Sequence, residues 1–213
     1  MDINWYGHSC FRLSERGQTT ILTDPYSDSL GLPPQRWKSD VVTISHNRPG
    51  HNAAENVKGA NYILTGPGEY EIGGTFIYGI AMHDVESGRL NVAFKFEYPT
   101  GLTALHLGDL AHVPDQSVIQ EIGEVHVLMI PVGGGHGMKA PVAAELIGLI
   151  EPTYILPMHY ALPGLTVELE PIDRFLKAMG VSRVQEEETL RVGISTLPEQ
   201  PQVVLLAPQF KSN

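Results

Sequence analysis

The chain has 213 residues, with 14 Lys+Arg against 24 Asp+Glu and a formal net charge of -10. That length suits one sizeable domain able to bury most of its unfolded surface, and that charge repels phosphate backbones, so nucleic acid is not an expected partner. The single cysteine, Cys10, excludes an intrachain disulfide and a thiolate zinc cage, which leaves any metal chemistry to His and carboxylate.

In chain order, the opening "MDINWYGHSC" has neither the basic start nor the apolar core of a secretory leader. No apolar run reaches the roughly 20 residues of a spanning helix. A cytoplasmic protein with no membrane partner is therefore expected. Short β-type runs follow one another: "INWYGHSCFRL", "TTILTD", "DVVTIS", "NYILTG", "GTFIYGIAM", "LNVAFKFEY" and "LTALHLGD", separated by turn-forming Gly, Pro, Asn and Asp. "GPGEYEIGG" lacks the lysine and following helix of a phosphate loop and reads as the tight turn of a hairpin. After Asp109 the pattern changes: "PDQSVIQEIG", "APVAAELIGLIE" and "PIDRFLKAMG" have helical spacing and alternate with the strand-like "VHVLMIPV" and "TYILPM", before the closing runs "LRVGIS" and "QVVLLAP". No linker, low-complexity tract or fixed-period repeat marks a boundary, so one α/β domain over residues 1–213 is expected, with layered sheets and helices outside.

No Gly-Lys-Ser/Thr loop, Gly-x-Ser-x-Gly elbow or His-Glu-x-x-His appears. The histidines are more informative. His46, His83 and His159 each end an apolar strand-like run, in "TISH", "IAMH" and "LPMH", and strand ends are where open α/β folds gather ligand sites. Asp109 ends another, in "HLGDL", and a carboxylate there can coordinate one metal or bridge two. His46 and His51, five positions apart, point roughly 140 degrees apart on a helix and so belong to a loop. Pro49 and Gly50 supply its turn, and "NAAE" from Asn52 to Glu55 has the cap-and-Glu pattern that opens a helix. His106 and His126, inside β-type runs, are expected to be structural, and Cys10 a core residue. His136, in "GGGHGM", lies in a loop after such a run and is a weaker candidate for binding substrate.

Together, "WYGHSCFRL", "LTDPY", "VVTISHNRPGHN", "GEYEIGGTFIYGIAMHD", "LHLGDLAH", "LMIPVGG" and "YILPMHY" resemble, in order and approximate spacing, the metallo-β-lactamase superfamily. Within it they are similar to small bacterial metal-dependent hydrolases related to ascorbate 6-phosphate lactonase. The resemblance covers nearly the whole chain and implies a four-layer αββα sandwich with a metal site at one edge between the sheets. It also implies metal ligands at His46, His51, His83, Asp109 and His159, taken from the family's His-x-His-x-Asp-His loop, later His, bridging Asp and final His. Two positions depart: Arg48 stands where the second loop histidine belongs, and Gly50 where the loop aspartate belongs. Each metal position has thus lost a ligand, leaving His46, His83 and Asp109 for the first and His51, Asp109 and His159 for the second. A guanidinium about 4 Å from a divalent ion is repelled by roughly 8 kcal/mol at an effective dielectric near 20, so Arg48 and a loaded first position nearly exclude each other.

Asp24 in "LTDPY" is read as the acceptor that fixes a histidine tautomer, and His8 in "WYGHSCF" as a neighbour of the site behind its ligands. Asp109, Arg48 and His112, the last in "GDLAH", are the residues expected to act on substrate. The reading that follows is a hydrolase using one Zn or Mn ion to activate water against a lactone or phosphoester of a small polar metabolite. The alternative is a non-catalytic relative, holding no ion, whose altered cavity binds an anionic ligand or a protein partner. The sequence carries no signal for a particular oligomeric state.

Overall fold

The computed structural model describes residues 1–83, 88–182 and 184–210; Asp84, which closes one of the motifs above, lies outside them. Two sheets carry the fold. The first runs in the order Leu190–Arg191, Asp2–Trp5, Phe11–Ser14, Ile21–Thr23, Val41–Thr43, Tyr62–Leu64, antiparallel up to Ile21–Thr23 and parallel beyond it. The second runs Gln202–Val203, Tyr154–Met158, Val127–Pro131, Thr103–His106, Leu90–Glu97, Thr75–His83, Gly68–Ile72. Its first four members are parallel and the rest form an antiparallel meander.

Alternation along each strand builds the layers. Ile3, Trp5, Phe11 and Leu13 of the first sheet share one core with Val92, Phe94 and Phe96 of the second. In the parallel strands Ile21–Thr23 and Val41–Thr43 every residue is buried. Ile21 and Val41 join the core between the sheets, whereas Leu22 and Val42 join a second core with Tyr26, Leu30, Leu32 and Trp37. That double burial is what parallel strands require.

Helices Gln116–Ile122, Ala140–Ile150 and Ile172–Ala178 bury Ile122, Ala143, Leu146 and Phe175 in the core that also holds Val127–Ile130 of the second sheet. The expected hairpin turn falls at Gly73 and Gly74, both at positive φ, between the paired Ile72 and Thr75. The expected helix after Asn52 is only a 3-10 turn, Ala54–Asn56, because Ala53 makes no side-chain cap and Val57 pairs at once with Trp37. Loops and short turns therefore cover the outer face of the first sheet. Among the described residues no helix is long and apolar enough to cross a membrane.

The topology fixes one edge as the meeting place. Ile21–Thr23 and Val41–Thr43 end side by side with Thr23 opposite Thr43, and Thr103–His106, Val127–Pro131 and Tyr154–Met158 end in parallel in the other sheet. Asp24, His46, Asp109 and His159 all lie just past those C-terminal ends, the usual place for a site in parallel sheets.

Candidate functional site

Asp109 is the hub. It follows Gly108, which has φ +60, in a turn that Asn91 stitches to the sheet: Asn91 Nδ2 donates to Leu107 O at 2.9 Å and Asn91 Oδ1 accepts the Asp109 N–H at 2.9 Å. The carboxylate is buried and each oxygen faces different imidazoles. Asp109 Oδ2 lies 2.9 Å from His46 Nε2. Asp109 Oδ1 lies 3.4 Å from His51 Nε2 and 3.3 Å from His159 Nε2, and has no hydrogen-bond partner among the described residues.

Behind His51, its Nδ1 donates to Asp24 Oδ2 at 2.8 Å, and Asp24 also accepts the Ser45 N–H at 2.7 Å and the Ser45 hydroxyl at 2.6 Å. In front, His8 Nε2 lies 3.0 Å from His51 Nε2. His8, Asp24 and His159 have φ of 51, 39 and 53, and the remaining non-glycine residue with positive φ among those described is Glu151, at the end of a helix. Left-handed backbone in a non-glycine residue costs energy and persists where surrounding structure holds it, often at functional sites. His8 is so held: Trp5 Nε1 and the His159 N–H both donate to its carbonyl, at 3.1 Å and 3.2 Å.

The electrostatics follow from burial. Burial works against the charge on Asp109, yet His159, His51 and His46 hold its carboxyl well below the usual range. Burial likewise opposes charge on His51, but Asp109 and Asp24 raise its pKa. Burial and the neighbouring imidazoles push His8 well down, and burial lowers His159 to about 4. The site thus holds two buried carboxylates and a set of imidazoles of which His8 and His159 keep free lone pairs.

A cavity of about 280 Å³ opens on this cluster, and His8, Arg48, His51, Asp109, His136 and His159 contribute to its wall. A second cavity of about 410 Å³ lies on the His46 side, where Arg48 and Arg89 face it with His46, Asn47 and Thr65. Arg48 borders both. Arg89 Nη2 donates to Asp109 O at 3.4 Å and His136 O at 3.3 Å, tying the two loops together.

Two expected residues stand elsewhere. His83 is exposed at the end of Thr75–His83, opposite Leu90, because strand alternation buries Met82 and turns His83 outward. With His112 it lines a different cavity that also holds Val113 and Pro114. The turn Leu107–Leu110 sends His112 away from the cluster. Neither belongs to the His/Asp groupings of metal-ligand size among the described residues, which are His8, His51, His159 and His46, His51, Asp109. His106 and His126 have structural partners, Ser9 O and Gly108 N–H for the first and Thr103 for the second. Cys10 is buried and its thiol is pushed up by that burial.

Sequence reasoning passed over Ser45, Asn91 and Arg89. Ser45 stands beside His46 in "TISHN" and was legible as a strand-end polar residue. Asn91 and Arg89 lie in a stretch with no motif, and only the fold brings them here.

The donor set suits a divalent metal. Ligand atoms around one tetrahedral ion with bonds of roughly 2.0–2.1 Å lie about 3.4 Å apart, and the His51–Asp109 and His159–Asp109 separations of 3.4 Å and 3.3 Å match. The unpartnered Asp109 Oδ1 and the Asp24-oriented His51 complete the expected pattern of ligand and outer support.

The model of the beta-lactamase superfamily domain matches residues 2–159. A UPF0173 protein of Pyrococcus furiosus is 29% identical over 214 residues, covering 86% of this chain and 93% of that protein. A UPF0173 metal-dependent hydrolase of Methanoculleus marisnigri is 29% identical over 227 residues, covering 91% and 97%. Among solved structures, a Thermotoga maritima protein of the metallo-beta-lactamase superfamily, described as a candidate zinc-dependent hydrolase, is 36% identical with a TM-score of 0.80, covering 96% of this chain and 97% of that one.

Proposed function

The chain belongs to the metallo-β-lactamase superfamily, and from that premise we propose that it is a metal-dependent hydrolase with one ion, Zn or Mn, held by His51, Asp109 and His159. The observation that carries this reading is the convergence of two imidazole nitrogens on the unpartnered Asp109 Oδ1, at 3.4 Å and 3.3 Å. Imidazole-rich sets favour Zn over Mg or Ca. A bound ion of this kind supplies water that is deprotonated near neutral pH and polarises the oxygen of the bond to be cut.

The chain's own residues do the rest. Asp24 keeps His51 Nδ1 as a donor, so that His51 Nε2 presents its lone pair toward Asp109 once its proton has left. His46, bonded to Asp109 Oδ2, holds the carboxylate plane. On the His46 side, where the family's first ion would sit, Arg48 and Arg89 place positive charge instead. A substrate that puts a carboxylate or phosphate there gains a charge-assisted contact while its scissile group faces His51 and His159. A lactone or phosphoester of a small anionic metabolite fits that division.

Elemental analysis after chelator-free purification, followed by a panel of lactones and phosphoesters with and without EDTA, tests the reading. About one metal per chain and EDTA-sensitive hydrolysis favouring anionic substrates are expected. Less than a tenth of an equivalent, with no uptake of added Zn or Mn, overturns it.

A further inference from the structure

The resemblance implies a loop aspartate at position 50, and this chain has Gly50 there. Gly50 has φ +101, and a Cβ built on it would lie 3.4 Å from His8 Nε2 and 3.3 Å from Leu30 Cδ1. The first atom of any side chain at position 50 would therefore touch both Leu30 and the His8 ring. That ring is buried, lies 3.0 Å from His51 Nε2 and has its centroid 4.4 Å from that of His159. His8, His51 and His159 each bring one ligand atom within 4.8 Å of the others.

We propose that His8 is itself a metal ligand in this chain, reaching in from the far N-terminal loop to replace the aspartate lost at position 50, so that His8, His51, Asp109 and His159 hold a single ion. The inference rests on the metal reading above and extends it. Three features support it. The His8 backbone is held in the left-handed region by two donors to its carbonyl, from Trp5 and His159, which aims the ring inward. The 3.0 Å contact brings the Nε2 atoms of two buried imidazoles together on the wall of the cavity that Asp109 and His159 also line. Position 50 borders His8 directly: its φ of +101 is a conformation side chains rarely adopt, and a Cβ there would be in van der Waals contact with His8 Nε2. Exchange of a carboxylate for an imidazole makes the donor set richer in nitrogen and shifts preference from Mn toward Zn and Co.

The test uses cobalt on the full-length chain, with visible absorption for affinity and X-ray absorption for the number of imidazoles bound. The variant is His8→Asn, because Asn tolerates the left-handed backbone that His8 adopts; His83→Ala is the control. Wild type should bind one cobalt through three imidazoles. His8→Asn should bind at least 100-fold more weakly through two, with added free imidazole restoring the third, and His83→Ala should match wild type. Wild-type binding through only two imidazoles, or His8→Asn binding with unchanged affinity and three imidazoles, overturns the role of His8 and leaves the metal reading standing. A wild type that takes up no cobalt overturns both together.

Discussion

His51 Nδ1 donates to Asp24 Oδ2 at 2.8 Å in a place where the two side chains are 3% and 0% exposed. The contact joins the end of Ile21–Thr23 to the loop after Val41–Thr43, and the same carboxylate accepts two further bonds from Ser45. Asp24→Asn keeps the shape but faces an amide NH2 toward groups that need an acceptor. Removing one charged partner from a buried hydrogen-bonded pair costs about 3–5 kcal/mol, and losing the group that orients a metal-bound histidine weakens metal affinity by about 10–100-fold. Urea unfolding and a metal titration of Asp24→Asn should show both losses; intact metal affinity would show that Asp24 serves stability alone.

Arg48 should set the metal count. It borders both cavities and places its charge on the His46 side, where the resemblance implies a first metal position. Arg48→His removes the repulsion and adds an imidazole to His46 and Asp109 Oδ2, making three donors, enough for a catalytic ion. Metal content in excess Zn or Mn should rise from about one toward two per chain. A count that stays at one would mean that the outward turn of His83, rather than Arg48, limits the first position.

The strand ends explain how much of this was legible. His46, His51, Asp109 and His159 could be picked out because each closes or follows an apolar run, and parallel strands of different sequence position end at one edge. The hairpin at Gly73–Gly74 and the three helices follow from local turn chemistry and periodicity, whereas the strand order does not, because its parallel neighbours pair across long crossovers. His83 misled because a run ending in histidine says nothing of which face the last residue takes, and here alternation with Met82 turns it outward. His8 looked peripheral because its approach depends on long-range contacts, the His159 N–H on its carbonyl and the His51 ring against its own. Arg89 carries no signal, since its place depends on the turn that Asn91 anchors.

Acid should destabilise the metal-free protein through its buried neutral imidazoles. His8, His106 and His159 all have pKa values lowered by burial, His159 to about 4. Each is neutral in both states above its unfolded value near 6.5, and below it only the unfolded chain takes up the proton, so stability falls as pH drops from about 6.5 toward 4. For His159 the full loss is on the order of 3 kcal/mol, at about 1.4 kcal/mol per unit. His51, with a raised pKa, acts the other way, its stability present at low pH and lost as pH rises through the folded value. Asp24 and Asp109, whose values are lowered, contribute stability that is lost only below the ordinary carboxylate range. Three groups oppose one in the window, so the urea midpoint with chelator present should be lower at pH 5 than at pH 7.5, and His159→Asn should show a shallower fall. A flat profile would contradict this balance.

Gly108 should prove a sensitive glycine of the site, for a reason separable from its backbone. Its φ of +60 alone would make alanine costly by about 1 kcal/mol. A methyl group there would also overlap Ser45 Cβ and lie 2.5 Å from Asn91 Oδ1. Those are the two anchors of the site: Ser45 bonds Asp24, and Asn91 Oδ1 accepts the Asp109 N–H. Neither can yield without releasing a carboxylate that positions His51, so overpacking of about 1–3 kcal/mol adds to the backbone strain. Gly17 provides the comparison, because it has φ +79 and nothing within 4 Å of its would-be Cβ. Gly17→Ala should therefore report the strain alone, about 1 kcal/mol with metal affinity unchanged, whereas Gly108→Ala should cost roughly 2–4 kcal/mol and weaken metal binding as well. Equal effects of the two substitutions on unfolding midpoint and metal titration would mean that the approach of the two sheets at Gly108 is looser than the Ser45 and Asn91 contacts imply.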